Sequence, residues 1–205
     1  RALDLNEIQL IPNILSDLVL GELGRVIPKD IVARYAIGSV ACQQLARKHL
    51  TGTAQNRIEE HFKNIDKIEI AHSGASAAVI DVKALWFQII DDFNKAEELY
   101  LMSLPIKYGD SHEIVRGWSL SNRGLLKFQL RDYHSALELF SESIRLRKKT
   151  LDLATLALAY YNRARTYKEL RNFNQYSDDI ASALLISINV GNKHLADFIQ
   201  SEIKD

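Results

Sequence analysis

Leu130-Arg131-Asp132-Tyr133-His134-Ser135-Ala136-Leu137-Glu138-Leu139-Phe140 is the stretch that decides the fold. Tyr133, Ala136, Leu137, Phe140 and Ile144 follow the spacing that lines one face of a helix, while Glu138, Glu142, Arg145 and Arg147 fall elsewhere. An amphipathic helix therefore begins at this point. Upstream, Leu120, Gly124, Phe128 and Leu130 belong to a partner helix, and Leu130-Arg131-Asp132-Tyr133 leaves only a very short turn between the two. Asp132 stands at the N-cap, where its carboxylate can accept from free amides in the first turn.

The same pattern recurs on either side. Asp92-Phe93, Asp132-Tyr133 and Asn172-Phe173 are separated by a step of 40 positions. At the same step stand Ser103-Leu104, Ser143-Ile144 and Ala183-Leu184, the column Tyr100, Phe140 and Ile180, and the column Ile90, Leu130 and Leu170. Ala84, Gly124 and Ala164 form a column of small residues where two helices can approach closely. Coincident columns at one period of roughly 20–50 residues signal stacked supersecondary units. The chain reads as all-α, an α-solenoid of antiparallel helix pairs built on repeats of about 40 residues.

Ser121-Asn122-Arg123-Gly124 followed by Arg131 to Phe140 resembles the tetratricopeptide repeat. Tyr160-Tyr161-Asn162-Arg163-Ala164 with Asn172-Phe173 is similar, and Ala84 with Asp92-Phe93-Asn94-Lys95-Ala96 and Tyr100 lies in register. The resemblance covers residues 76–191. Tyr176 stands where the other copies have Ala96 and Ala136, Lys127 replaces an expected aromatic, and the 40-residue step exceeds the family's usual length of about 34. The extra length predicts longer helices or turns, and Tyr176 predicts looser packing in the last pair.

The organisation expected is N-terminal helices over residues 1–72, three helix pairs over 73–191 (about 76–111, 112–151 and 152–191), and a capping helix over 192–205. In the first segment Ile8, Ile11, Leu15, Leu18 and Val19 suit one helix, Pro28 opens a second, and Ile58, Phe62, Ile65 and Ile68 stripe a third. The second and third match the repeat loosely through Cys42 and Ala54, as one degenerate copy. In the last segment Leu195, Phe198 and Ile199 are expected inward, with a polar outer face. The only methionine is Met102, so Arg1 reads as the start of an excised or processed chain. The first helix is expected either to cover one end of the stack or to join two chains.

Twenty-six basic and 26 acidic side chains balance, so no global field draws the chain to nucleic acid or an anionic membrane. Arg145, Arg147, Lys148 and Lys149 make a local basic patch at a helix end, where cations complement the macrodipole. The alternative for that patch is a contact for an acidic partner. Cys42 is the lone cysteine and sits in an apolar pattern, which excludes an intramolecular disulfide framework and fits a reducing, cytoplasmic setting. No apolar run approaches the ~18 residues of a membrane span.

Enzyme chemistry has no visible constellation. His49, His61, His72, His112, His134 and His194 show no metal-binding spacing, and Gly21 and Gly24 do not form a phosphate loop. Glu59-Glu60-His61 lies beside the apolar stripe of its helix and reads as solvated surface. No catalytic residue, metal or cofactor is expected, and the chain is read as a non-enzyme.

What remains is binding. In the family resembled, the first helix of each pair lines a concave groove that takes a peptide or a partner's helix. Asn122 and Asn162 correspond one step apart, where the family's asparagine commonly holds a peptide backbone or carboxylate. A side-chain amide both donates and accepts, matching a peptide unit without reading its sequence. Arg165 and Lys168 follow on much the same face as a clamp for an acidic group, and Trp118 and Tyr161 lie near the groove. Asp81, Val82 and Leu85 stand where a full carboxylate clamp requires further basic residues. The expected function is a protein-protein interaction module of scaffold or adaptor type whose partner is a protein, a peptide or another domain of the same chain. The alternative is the regulatory or sensor segment of a larger enzyme or transcription regulator, and a third reading is a helical enzyme around Glu60 and His61.

Overall fold

The structure, a computed structural model, describes residues 73–104 and 113–204. The readings made for Cys42, for Glu60 and His61, and for the helices of residues 1–72 lie outside the described residues. Those described form seven helices and no strand: α1 (Ser73–Ile89), α2 (Phe93–Ser103), α3 (Glu113–Gln129), α4 (Tyr133–Thr150), α5 (Leu153–Glu169), α6 (Phe173–Asn189) and α7 (Lys193–Lys204). They fall into two compact units, with α1 and α2 in one and α3 to α7 in the other.

Each described turn joining two helices is built the same way. Asp91, Arg131, Leu151, Arg171 and Gly191 hold φ between 56 and 72°, in the left-handed region that ends a helix. The amide of the next residue then bonds back across the last turn, Asp92 N to Phe87 O at 2.9 Å, Asp132 N to Lys127 O at 2.9 Å, Asp152 N to Arg147 O at 3.1 Å, Asn172 N to Tyr167 O at 2.9 Å and Asn192 N to Ser187 O at 2.8 Å. That residue also opens the following helix. Asp92 Oδ1 accepts from Lys95 N (3.1 Å), Asp132 Oδ1 from Ser135 N (3.2 Å) and Asn192 Oδ1 from Leu195 N (3.2 Å). The Ser135 hydrogen bonds hold the Asp132 carboxyl below the usual carboxylate range. Asn172 occupies the same position, but its side chain makes no capping bond.

In the first unit, α1 and α2 run in opposite directions. Tyr100 Oη donates to Gln88 Oε1 (3.2 Å) and Ser103 Oγ to the buried Asp81 Oδ1 (2.6 Å), later positions in α2 meeting earlier ones in α1. Ala84, Leu85, Trp86, Ala96 and Leu99 are buried around these bonds.

The second unit repeats this geometry twice and adds α7. Between α3 and α4, Ser121 Oγ lies 2.8 Å from Ser143 Oγ, which donates to Gly117 O at 2.6 Å. This pair stands one 40-residue step beyond Asp81 and Ser103. In the third copy the two positions carry Tyr161 and Ala183, and the polar bridge is gone. Between α5 and α6 the buried Ala159, Tyr160, Ala164, Ile180 and Ala183 form a core with Ile144 of α4 and Ile199 of α7.

Tyr176 packs half-buried against this core rather than loosening it. The long repeat step is taken up in the helices, which run to 17 or 18 residues from α3 through α6 while the turns hold two or three. Leu195 and Ile199 face inward on α7 as expected; Phe198 does not, and remains 47% exposed. Its ring instead meets Tyr161 edge-on, with 5.5 Å between centroids.

The small column has a steric reason at Gly124. A β-carbon there would lie 2.7 Å from Cε1 and 2.9 Å from Cδ1 of Phe140, whose ring is fully buried and cannot swing away. Ala is favoured over Gly in a helix by about 1 kcal/mol, against about 1–3 kcal/mol for overpacking a core. Gly124→Ala is therefore expected to lower stability in urea unfolding by about 1–2 kcal/mol, and adding Phe140→Leu to recover part of the loss. Leu151 presents the opposite case, being 75% exposed at φ 56° with little packing to lose. Leu151→Gly should raise the midpoint of thermal unfolding, with a gain of about 0.5–1 kcal/mol from relief of the left-handed conformation.

Candidate functional site

The six residues singled out for partner binding lie on α3 and α5, the first helices of their pairs. Four of them, Tyr161, Asn162, Arg165 and Lys168, share α5, while Trp118 and Asn122 stand on α3. Tyr161, Arg165 and Lys168 follow one another along α5. The Arg165 guanidinium stands 4.8 Å from the Phe128 ring centroid of α3 and 5.8 Å from that of Tyr161, and Lys168 Nζ lies 5.8 Å from the ring of Tyr176. Tyr161 itself is buried, donating to Glu202 Oε2 of α7 at 3.1 Å. The result is a strip of alternating rings and cations running from Phe128 through Arg165 and Tyr161 to Phe198.

Arg165 is half-buried, and among the described residues no carboxylate pairs with it or with Lys168. Elsewhere in this unit acids are close at hand. Arg163 is held by both oxygens of Asp179 (2.7 and 2.8 Å), which raises its pKa, and Glu142 takes two bonds from Arg145 (2.7 Å each), which lower its own. A cation stacked on rings keeps part of its interaction energy while its donors remain available to an anion.

Asn122 and Asn162 are both buried, at 7 and 6% exposure. The Asn162 carbonyl accepts from Thr166 Oγ1 at 2.9 Å, and its side-chain amide makes no hydrogen bond among the described residues. A side-chain amide carries both donors and an acceptor.

Trp118 is engaged with the start of α5. Its indole Nε1 donates to Asp152 Oδ2 at 2.7 Å, and it is 9% exposed. The same carboxylate takes Arg147 Nη1 at 2.8 Å and the Thr155 hydroxyl, while Arg147 also donates to Ser143 Oγ (3.0 Å), Ser121 Oγ (3.3 Å) and Gly117 O (3.2 Å). Arg147 is 4% exposed. It is therefore a buried bridge among α3, α4 and α5 rather than part of a surface patch at a helix end. Arg145 and Lys149 pair with Glu142 and Glu113, and Lys148 lies over the Tyr160 ring at 5.5 Å. Asp152 was the missed signal: it stands midway between Asp132 and Asn172, so the acid or amide recurs at a 20-residue half-step.

A depression of about 390 Å³ opens elsewhere on the α3–α4 hairpin, lined by Leu120, Arg123, Lys127, Ser135, Glu138, Leu139 and Glu142. None of the six expected residues lines it, and its charges are of both signs. Among the described residues no helix is long and apolar enough to cross a membrane, and no three His, Cys, Asp or Glu side chains are grouped as metal ligands.

No family model matches this chain, and no curated protein matches it in sequence. Among solved structures, the crystal structure of BtubC (BKLC) from P. vanneervenii is similar, with a TM-score of 0.60 over 97% of this chain and 89% of that one at 14% identity. The likeness is one of fold alone.

Burial pushes the Tyr161 phenol from its ordinary 10.0 up to about 12, against the opposing pull of Arg165. The raised value means that the folded state favours the neutral phenol. That contribution to stability is fully present below pH 10 and is lost as the pH rises through about 12. Urea unfolding across this window should show a steeper alkaline loss in the wild type than in Tyr161→Phe; parallel curves would remove Tyr161 as the cause.

Proposed function

We propose that this chain is a non-catalytic protein-interaction module, a solenoid of tetratricopeptide-like helix pairs whose first helices offer a binding face to a peptide, a helix or a partner domain. The observation that carries this reading is the half-buried Arg165 guanidinium, stacked on Phe128 and Tyr161 without a carboxylate among the described residues. Asn162, with an unpaired amide on the same helix, supports it. So does Lys168, exposed one turn further along. An acidic group on the partner would complete the donors of Arg165 at little ordering cost, because the rings already hold the side chain in place.

Trp118 is not part of this face in our reading, since its indole is spent on Asp152. The contacts belong to Asn162, Arg165, Lys168 and Tyr161, with Asn122 as the matching amide of the preceding pair. The experiment recovers partners from cell extract with the wild type, Arg165→Glu and Asn122→Ala/Asn162→Ala in parallel, then measures affinity for the protein identified. Both variants should stay helical; charge reversal at Arg165 should weaken the partner by about tenfold or more. Equal affinity for all three folded proteins removes the face from the binding site.

A further inference from the structure

The outer face of α6 differs from that of α4, its counterpart one repeat earlier. Ala181, Leu185 and Ile188 recur at the spacing that places side chains in one line along a helix, and all three are exposed, Leu185 by 60% and Ile188 by 56%. The opposite face of the same helix is the buried one, carrying Ile180, Ala183 and Ser187. In α4 the corresponding positions are Ser141, Arg145 and Lys148, the arginine held by Glu142 and the lysine resting on Tyr160. A position that carries solvated charge in one copy thus carries bare aliphatic carbon in the next. A continuous apolar ridge of this kind on a folded unit marks a contact surface.

Its ends indicate what covers it. One turn before Ala181 stands Asp178, exposed, and just beyond the far end of α6 stands Lys193, also exposed; neither forms an ion pair among the described residues. Along the chain the ridge is therefore preceded by an acid and followed by a base. An inverted copy of the same face has the complementary order.

We propose that α6 is the seam of a two-fold dimer in which the α6 helices of two copies of this chain pack antiparallel. A 17-residue helix is ~25 Å long, enough for the whole ridge to meet its counterpart. With Leu185 near the two-fold axis, Ala181 of one copy lies opposite Ile188 of the other, small against large. Asp178 comes within reach of Lys193 of the second copy, and symmetry forms each of these contacts twice. The flanking charges select the antiparallel order, because a parallel pairing would set Asp178 against Asp178. This seam is independent of the Arg165 face, and the two readings stand or fall separately.

The test is light scattering and sedimentation of the full 205-residue chain over a range of concentrations. The wild type should approach a dimer mass as concentration rises, and Leu185→Arg/Ile188→Lys, which installs the residues α4 already carries, should be monomeric with unchanged helicity. Asp178→Lys should weaken the dimer by about tenfold, and Asp178→Lys/Lys193→Asp should restore it. A wild type that is monomeric throughout overturns the proposal, as does a dimer that survives the ridge substitution. If that variant loses helicity, the charge pair decides: rescue by the double change supports the seam, and indifference to Asp178→Lys overturns it. Arg165→Glu, which belongs to the partner-binding face, should leave the mass unaltered.

Discussion

The turn between helices is the constraint on which the rest of this structure depends. At each described junction one residue enters the left-handed region, and the next both closes the finished helix through its amide and opens the new one. No residue is left over to change the angle or register of the hairpin. With the register held, the same columns meet in each hairpin, so Gly124 comes to lie under Phe140 as Ala164 does near Ile180. The strain of non-glycine residues at most of these turns is carried because the hydrogen bonds and packing on both sides outweigh a cost of about 1–2 kcal/mol each.

Within that frame, one buried column changes its chemistry from copy to copy. Asp81 bonds Ser103, Ser121 meets Ser143, and Tyr161 stands over Ala183 with no polar partner in α6. The second copy elaborates the bridge into the Arg147–Asp152 centre, where a charge is buried with its donors bonded to five different groups. Such a centre stabilises through complete satisfaction of its partners, since an unpaired buried guanidinium would be costly. The third copy discards the bridge, and its tyrosine reaches α7 instead. That tyrosine is one of the two rings that Arg165 meets.

Much of the fold was legible because the turn chemistry is local. Asp92 and Asp132 announce their helices by residue type alone, and the small and large columns keep the 40-residue phase from one hairpin to the next. The candidate site was only half legible. Tyr161, Arg165 and Lys168 share a face through helical spacing, which the sequence shows. That Phe128 and Phe198 join them depends on contacts between elements more than 30 residues apart. Trp118 was ambiguous for a related reason: an indole on a first helix looks the same in sequence whether it faces a groove or donates to a carboxylate 34 positions away.

Arg147 marks the boundary most sharply. Within the run Arg145-Leu146-Arg147-Lys148-Lys149 nothing local separates the buried arginine from its three exposed neighbours of like charge. The sequence by itself determined the helical class of the described residues, the 40-residue period and the capped turns, because these follow from residue type and spacing within one or two helical turns. Only the tertiary structure decided which polar side chains are buried with partners and which face outward, because that depends on how far a neighbouring helix has approached. Desolvation and pairing are properties of that approach, and no stretch of chain carries them alone.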